Sequence, residues 1–433
     1  MSEEVTLEEF AQQGESGEEG QEWKKAQLQD VSQKRSDNVD PQEVDLERHV
    51  GLEHINPNDP VPEWEPLDDL SSTKRRFEAG DILFAKLRPN LEKSAQPDFE
   101  GVASTDIFPI VADSDVNSKW LLYRLSSKPA YDYARRTSAG TRMPRTSWNL
   151  FSNFGFDLPP LSEQRKIATV LHTVDRSIEK TRETVEQMDT VQQGLLRSLF
   201  GKESQSQKSD IETKTERLGP KQFQVPVTWE KTEISSIGKV VTGDTPSTDG
   251  EGNFGGTLPF VTPETLSQGK YVTESDRTLS EAGQNEAKPI PEGSVMMDCI
   301  GSDMGKVAVS GCEVATNQQI NSVVIDDESY LPEFLYYHLT VLSDFIESQA
   351  GQTATPIVNK SSFASFAIFN PPVEEQQEIV DTLSLYDGGR ESNHEYLSRL
   401  KRLKRGLMQD LLSGTVRTTE ADIDVPDEIA QHG

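Results

Sequence analysis

Residues 159–200 align with residues 371–412 at a constant offset of 212 without a gap, and twelve of the 42 pairs are identical. Chance alone gives roughly two or three. A chain that carries one long segment twice must place one structural unit twice. The best-matched stretch sets Pro159-Pro160-Leu161-Ser162-Glu163-Gln164 against Pro371-Pro372-Val373-Glu374-Glu375-Gln376. Weaker matches extend upstream: Trp23 resembles Trp229, Gly80-Asp81-Ile82-Leu83 resembles Gly293-Ser294-Val295-Met296, Ala103-Ser104-Thr105 resembles Ala315-Thr316-Asn317, and Trp120–Leu125 resembles Phe334–Leu339. The whole chain therefore reads as a tandem duplication, each half a globular head followed by the repeated segment.

Each repeated segment is expected to be one long helix. The Pro-Pro pair ends the preceding strand, and apolar residues then recur in alternating steps of four and three. In the first copy that seam is Ile167, Leu171, Val174, Ile178, Val185, Met188, Leu195 and Leu199; in the second it is Ile379, Leu383, Tyr386, Leu397, Leu400, Leu407 and Leu411. Polar residues interrupt both copies at the same places, Thr181 with Asn393 and Gln192 with Lys404. Polar seam positions cost stability but fix register, which suits two helices that pair in one alignment. At 1.5 Å per residue such a helix is a rod of about 58 Å.

The heads read differently. Short apolar runs at 81–85, 105–111, 294–297, 306–309 and 320–325, bounded by Gly, Pro and Asp, predict strands, with helical patches between them. The expected fold class is α+β. Two tandem heads, residues 21–158 and 223–370, are each followed by a long helix, 159–200 and 371–414, and the helices pair as an antiparallel coiled coil. Residues 1–20 are expected to be an acidic disordered tail, 201–222 a linker, and 415–433 a second acidic tail.

Composition narrows the function. Lys and Arg number 43 against 73 Asp and Glu, a formal charge of −30, and the acidic first twenty residues leave most of the excess on the body of the chain. A surface tuned to a high-salt cytoplasm, that of a halophilic host, is the expectation. Two cysteines without a CxxC pair and six scattered histidines offer no zinc-ligand or disulfide pattern. An acidic N-terminus and the lack of a long apolar run point to a cytoplasmic protein with no membrane partner.

No catalytic constellation is expected. Asn370-Pro371-Pro372-Val373 resembles the loop by which amino-methyltransferases hold an amine, but the stacking aromatic is missing and the first copy reads Leu158-Pro159-Pro160-Leu161. Gly301–Lys306 is one residue short of a phosphate loop and lacks its Ser or Thr. Asp276 with Glu286-Ala287-Lys288 has the residue types of a metal nuclease, a match that accident supplies in so acidic a chain.

What remains is binding. Against this charge, residues 74–93 hold Lys74, Arg75, Arg76, Lys86, Arg88 and Lys93, and residues 131–147 hold Arg135, Arg136, Arg142 and Arg145. Such clusters suit phosphate contact, and arginine can fork onto guanine edges. In the second head Asn317, Gln318 and Gln319 suit adenine edges, and Lys360 is a further candidate. Surface ion pairing is the plainer alternative for any one of these bases. Residues 399–405 carry five bases and no acid, which fits a solvated face, a DNA backbone contact or a dock for an acidic partner.

Two divergent heads, each closed by a PPLxEQ-type corner and a long helix, resemble the specificity subunit of a Type I restriction-modification system from about Trp23 to Arg417. The corner Leu158–Ile167 and the helix end Gly406–Gly414 carry the likeness. The resemblance implies that each head is a target-recognition domain reading one half of a split double-stranded DNA site. The helices would set the gap and dock two methyltransferase subunits, with restriction and translocase subunits outside. It also implies no chemistry and no cofactor in this chain, S-adenosylmethionine, ATP and Mg belonging to the partners. The rival readings are a two-headed protein-interaction scaffold and an orphan or remnant subunit.

Overall fold

A computed structural model of the chain describes residues 22–57, 59–68, 70–200, 212–247, 252–301, 304–350 and 355–431. The expected acidic tail at 1–20 and residues 201–211 of the expected linker lie outside the described residues. The chain divides into two units, residues 1–183 with 395–433 and residues 184–394. Each unit thus holds one head with half of each long helix.

In the first unit the strand Ile82–Ala85 is apolar at every position because it is covered on both faces. Period-two alternation sends Ile82 and Phe84 into one core with Trp120, Tyr131 and Phe151, and Leu83 into another with Val50, Phe77 and Ala103. That strand belongs to a sheet ordered Ser32–Lys34, Ile107–Ala112, Ile82–Ala85, Ser94–Ala95. A second sheet runs Asn38–Val39, Lys74–Phe77, Gly101–Ala103, His49–Val50, its last pair parallel. The helices Ser118–Leu125 and Lys128–Arg136 supply Trp120 and Tyr131 to the first core.

The second unit repeats the plan. One sheet is ordered Gly238–Thr242, Ile320–Ile325, Val295–Asp298, Val307–Ser310, Tyr271–Val272, and another Thr278–Leu279, Phe254–Val261, Ala315–Thr316. Again Val295 and Met297 face a helix, here Pro332–Ser348, while Met296 packs with Val261 and Ile320. The parallel pairing of Val102 with His49 recurs as Ala315 with Phe260. Structural equivalence here runs at an offset of 213, so the sequence alignment of Ala103 with Ala315 is one residue out.

The long helices run Leu161–Phe200 and Val373–Ser413. Their pairing is antiparallel: Asp189 meets Arg390 and, further along, Gln192 meets Asp387. The seam divides its work. Val174 and Ile178 pack with Leu400, Leu397 and Leu407 between the helices. Val185 is buried, Met188 lies beside Asn393, and Tyr386 is half-buried. Towards the ends the same stripe also joins the heads: Ile167 and Leu171 cluster with Leu411 and the first head's core, and Leu195 and Leu199 with Ile379, Leu383 and the second's. A regular heptad therefore serves two kinds of burial, between the helices and, at its ends, within the heads' cores.

Two further expectations are corrected. Residues 213–226, whose first part was read as linker, form a hairpin of Thr213–Leu218 and Lys221–Pro226 with Gly219 at φ +59°, and bury Leu218, Phe223 and Val225 in the second head's core. The supposed tail after 414 packs onto the first head, where Ile429 is fully buried and its carbonyl accepts from Asn117 Nδ2 at 2.8 Å. Lys166 Nζ donates to the carbonyls of Thr419 and Ala421. Composition called this segment a tail, but a few apolar residues suffice to dock it.

The repeated corner explains its own sequence. Glu163 accepts from Trp23 Nε1 at 2.8 Å, and Glu375 from Trp229 Nε1 at 2.7 Å. Gln164 donates to Pro159 O and accepts from Asn117 N, while Gln376 donates to Pro371 O and accepts from Leu331 N. The Pro-Pro turn, the Glu and the Gln thus fasten each long helix to the first strand and to a helix start of its head, satisfying groups that burial would otherwise leave unpaired.

Candidate nucleic-acid interface

Three loops of the first head meet beyond the end of Ile82–Ala85. Lys86 N donates to Asp106 O (3.0 Å), Thr146 N to Lys86 O (3.1 Å) and Arg88 N to Pro144 O (2.8 Å). Leu87 bridges Arg145, and a reciprocal pair between Ala139 and Arg145 closes the turn that presents Arg142, with Gly140 at φ +96°. Arg88 is itself left-handed at φ +49° and exposed. This backbone frame brings Lys86, Arg88, Arg142 and Arg145 of the sequence candidates together.

Asp106 organises them. It accepts from Arg145 Nε at 2.9 Å and Nη2 at 3.0 Å, a forked pair, and Lys86 Nζ lies 3.9 Å away. Burial lowers the pKa of Lys86; Asp106 opposes the shift, and Arg75, Arg145 and Lys34 add to it. Burial and Arg75 likewise lower that of Lys34. Lys34, Arg75 and Arg145 thus each repel the Lys86 ammonium, which Asp106 attracts. Lys34 was missed in the sequence, where it is one polar residue of a short strand with no local signal.

Other candidates lie elsewhere or are engaged. Lys74 is buried and donates to the carbonyl and hydroxyl of Ser72. Arg76 reaches Glu100 at 3.3 Å, Arg135 pairs with Asp132, and Arg136 lies over the Tyr133 ring. In the second head Asn317 is buried and its amide exchanges bonds with Gln319, whose Nε2 donates to Ile300 O; Gln318 is exposed and accepts from Thr245. Two of that trio thus shape their own loop rather than facing outward. Lys360 is exposed at the start of the helix Lys360–Ala364.

The second head builds the same frame with different side chains. Cys299 N donates to Gln319 O, Val358 N to Cys299 O, Gly301 N to Pro356 O, and Ile300 bridges Ile357. Cys299, Gly301, Gln319 and Ile357 so take the places of Lys86, Arg88, Asp106 and Arg145. One scaffold presents two surfaces of different chemistry.

Three potential metal ligands meet in the first head, His49, His54 and Glu65, with ligand atoms within 4.8 Å of one another. Their scatter in the sequence hid this grouping, which the bridge between His49 and Glu65 creates. His49 Nδ1 is 2.8 Å from Glu65 Oε1, and Gly51 N donates to His54 Nδ1. Hydrogen bonds thus already join the ends of this loop. Of the nuclease-like residues, Glu286 accepts from Ser247 N and Asn253, and Lys288 pairs with Asp244. Among the described residues no helix is long and apolar enough to cross a membrane.

The family described as Type I restriction modification DNA specificity domain matches residues 20–187 and 226–402, once per copy. The chain belongs to this family. As a member of the specificity family it is similar to the Type I restriction enzyme HindI specificity subunit of Haemophilus influenzae, 24% identical over 91% of this chain and 99% of the relative. A putative MjaX specificity subunit of Methanocaldococcus jannaschii is 22% identical over 82% of both. The fold is shared with the solved S subunit of a Type I system from M. genitalium, TM-score 0.56 at 12% identity over 92% of this chain and 98% of that one. A chain from a structure concerned with complex assembly and conformational transition of the Type I system matches with TM-score 0.54 at 18% identity, covering 91% and 98%.

Proposed function

We propose that this specificity-family chain is the non-catalytic DNA-reading subunit of a Type I restriction-modification complex. Each head reads one half of a bipartite duplex target. The observation that carries the reading is the duplicated frame at 86–88 and 299–301, held by matching backbone bonds and furnished with different side chains. Reading two unlike half-sites needs the same placement and different contacts. Lys34, Arg75, Lys86, Arg88, Arg142 and Arg145 are the first head's contact set; Gln318 and Lys360 belong to the second's.

The paired helices and repeated corners present equivalent surfaces to two methyltransferase subunits, and restriction subunits join outside them. S-adenosylmethionine, ATP and Mg serve those partners in the cytoplasm. The test is co-expression and co-purification with a Type I methyltransferase subunit of the same host, followed by mass measurement. Two methyltransferase copies per chain support the reading, and failure to associate favours a scaffold or remnant.

A further inference from the structure

We infer that Arg145 reads a guanine in the half-site of the first head, with Asp106 as its positioning residue, and that the second head reads its half without an arginine fork. This rests on the DNA-reading function proposed above. A guanidinium has five N–H donors in one plane. Asp106 takes the edge formed by Nε and Nη2, at 2.9 and 3.0 Å, and Met143 O accepts from Nη1 at 3.4 Å. One N–H on each terminal nitrogen remains, side by side at the tip of the fork. That pair matches the O6 and N7 acceptors which guanine alone presents in the major groove.

Asp106 does more than neutralise. By holding one edge it fixes the plane of a side chain that is 43% exposed and would otherwise sample many rotamers. Lys86 shares Asp106 with it, and Lys34 and Arg75 lie near enough to Lys86 to lower its pKa, so the site keeps a positive excess suited to a polyanion. At the equivalent places the second head has Val240 for Lys34, Cys299 for Lys86, Gln319 for Asp106 and Ile357, 48% exposed, for Arg145. Lys288, which replaces Arg75, is paired with Asp244 at 2.7 Å. The two half-sites therefore call on different chemistry, an arginine fork in one and, at the same place, the apolar Ile357 in the other.

The experiment uses the complete complex on its own methylation target, with each guanine replaced in turn by 7-deazaguanine, which removes N7 and keeps Watson–Crick pairing. Wild type should lose roughly 2- to 12-fold in affinity at one guanine of one half-site, about half the worth of a bidentate pair, since O6 still accepts. Arg145→Ala should lose more, roughly 5- to 150-fold on unmodified DNA, and nothing further at that guanine. Arg145→Lys, which keeps the charge, should bind with a similar salt dependence but lose the discrimination, and Ile357→Ala should retain it. If Arg145→Ala and Arg145→Lys stay as sensitive as wild type to every 7-deazaguanine, the inference is overturned while the DNA-reading function stands. Absence of any bipartite target for wild type overturns both.

Discussion

The ammonium of Lys404 lies 2.5 Å from the carboxylate of Asp175, and both side chains are less than a tenth exposed. Tyr123 of the first head donates to the same carboxylate at 2.7 Å, so one buried acid ties a head, its own helix and the opposite helix. The second copy solves the problem otherwise. Asp387 accepts from Tyr337 and from Gln192, the counterpart of Lys404, and its cation is Lys270 of the head, 3.4 Å away. Each acid thus bonds one tyrosine and pairs with one lysine, delivered from different directions.

Lys404→Gln, which makes the first copy imitate the second, should remove the cation paired with Asp175 and leave Lys119 as a remaining positive neighbour. Removing one partner of a buried pair costs about 3–5 kcal/mol. Urea unfolding of wild type and variant measures it. A loss under 1 kcal/mol would show that solvent reaches this carboxylate.

Glu163 is held by more than its corner. Arg417 donates from Nε and Nη2 at 2.8 Å and Thr418 N at 3.1 Å, all from the segment composition marked as a tail. Burial pushes the Glu163 pKa up, but Arg417, Trp23 and Thr418 together outweigh it and hold it below the usual range. Truncation after Gly414 should therefore lower the unfolding midpoint of the first head, and Arg417→Ala should reproduce part of the loss, about 1–3 kcal/mol for a charged hydrogen bond removed. An unchanged midpoint in the truncated chain would return 415–433 to the status of a tail.

His338 is stacked against Phe200 and Phe369, at 5.1 and 5.5 Å between ring centres, with no partner for either nitrogen. Burial lowers its pKa to about 3. Above the ordinary value near 6.5 neither state binds the proton, so protonation contributes nothing to stability there. As pH falls from 6.5 towards 3 the unfolded chain takes up a proton that the native core refuses, and stability declines. At pH 5 the decline from this residue should be about 2 kcal/mol. His338→Phe should lose less stability than wild type between pH 7.5 and 5; equal losses would place a proton or a water beside the ring.

The charge of −30 predicts that folded stability rises from low to molar KCl as self-repulsion is screened. Thermal unfolding across that range checks it. A flat or falling midpoint would remove the high-salt reading of the composition.

Much of this organisation was legible because duplication and heptad spacing are linear features. The corner Pro159–Gln164 and the helix it starts could be read from spacing alone. Which core each seam residue enters could not, since Ile167 and Val174 carry the same pattern yet only Ile167 also joins a head's core. The segment 415–431 was misread because its few apolar residues, Val425 and Ile429, are diluted by acids, while docking depends on where they land. At the candidate interface the sequence supplied Lys86, Arg88 and Arg145. It gave no sign of Asp106 as their organiser or of Lys34, because both arrive through strand pairing over distances that no local pattern records.

The DNA-reading function is tested most directly by single-molecule methylation sequencing of host DNA with the gene intact and deleted. Deletion should remove methylation at one motif made of two unlike half-sites around a fixed gap, and the intact gene should restore it. Persistence of every methylated motif in the deletion strain would contradict it.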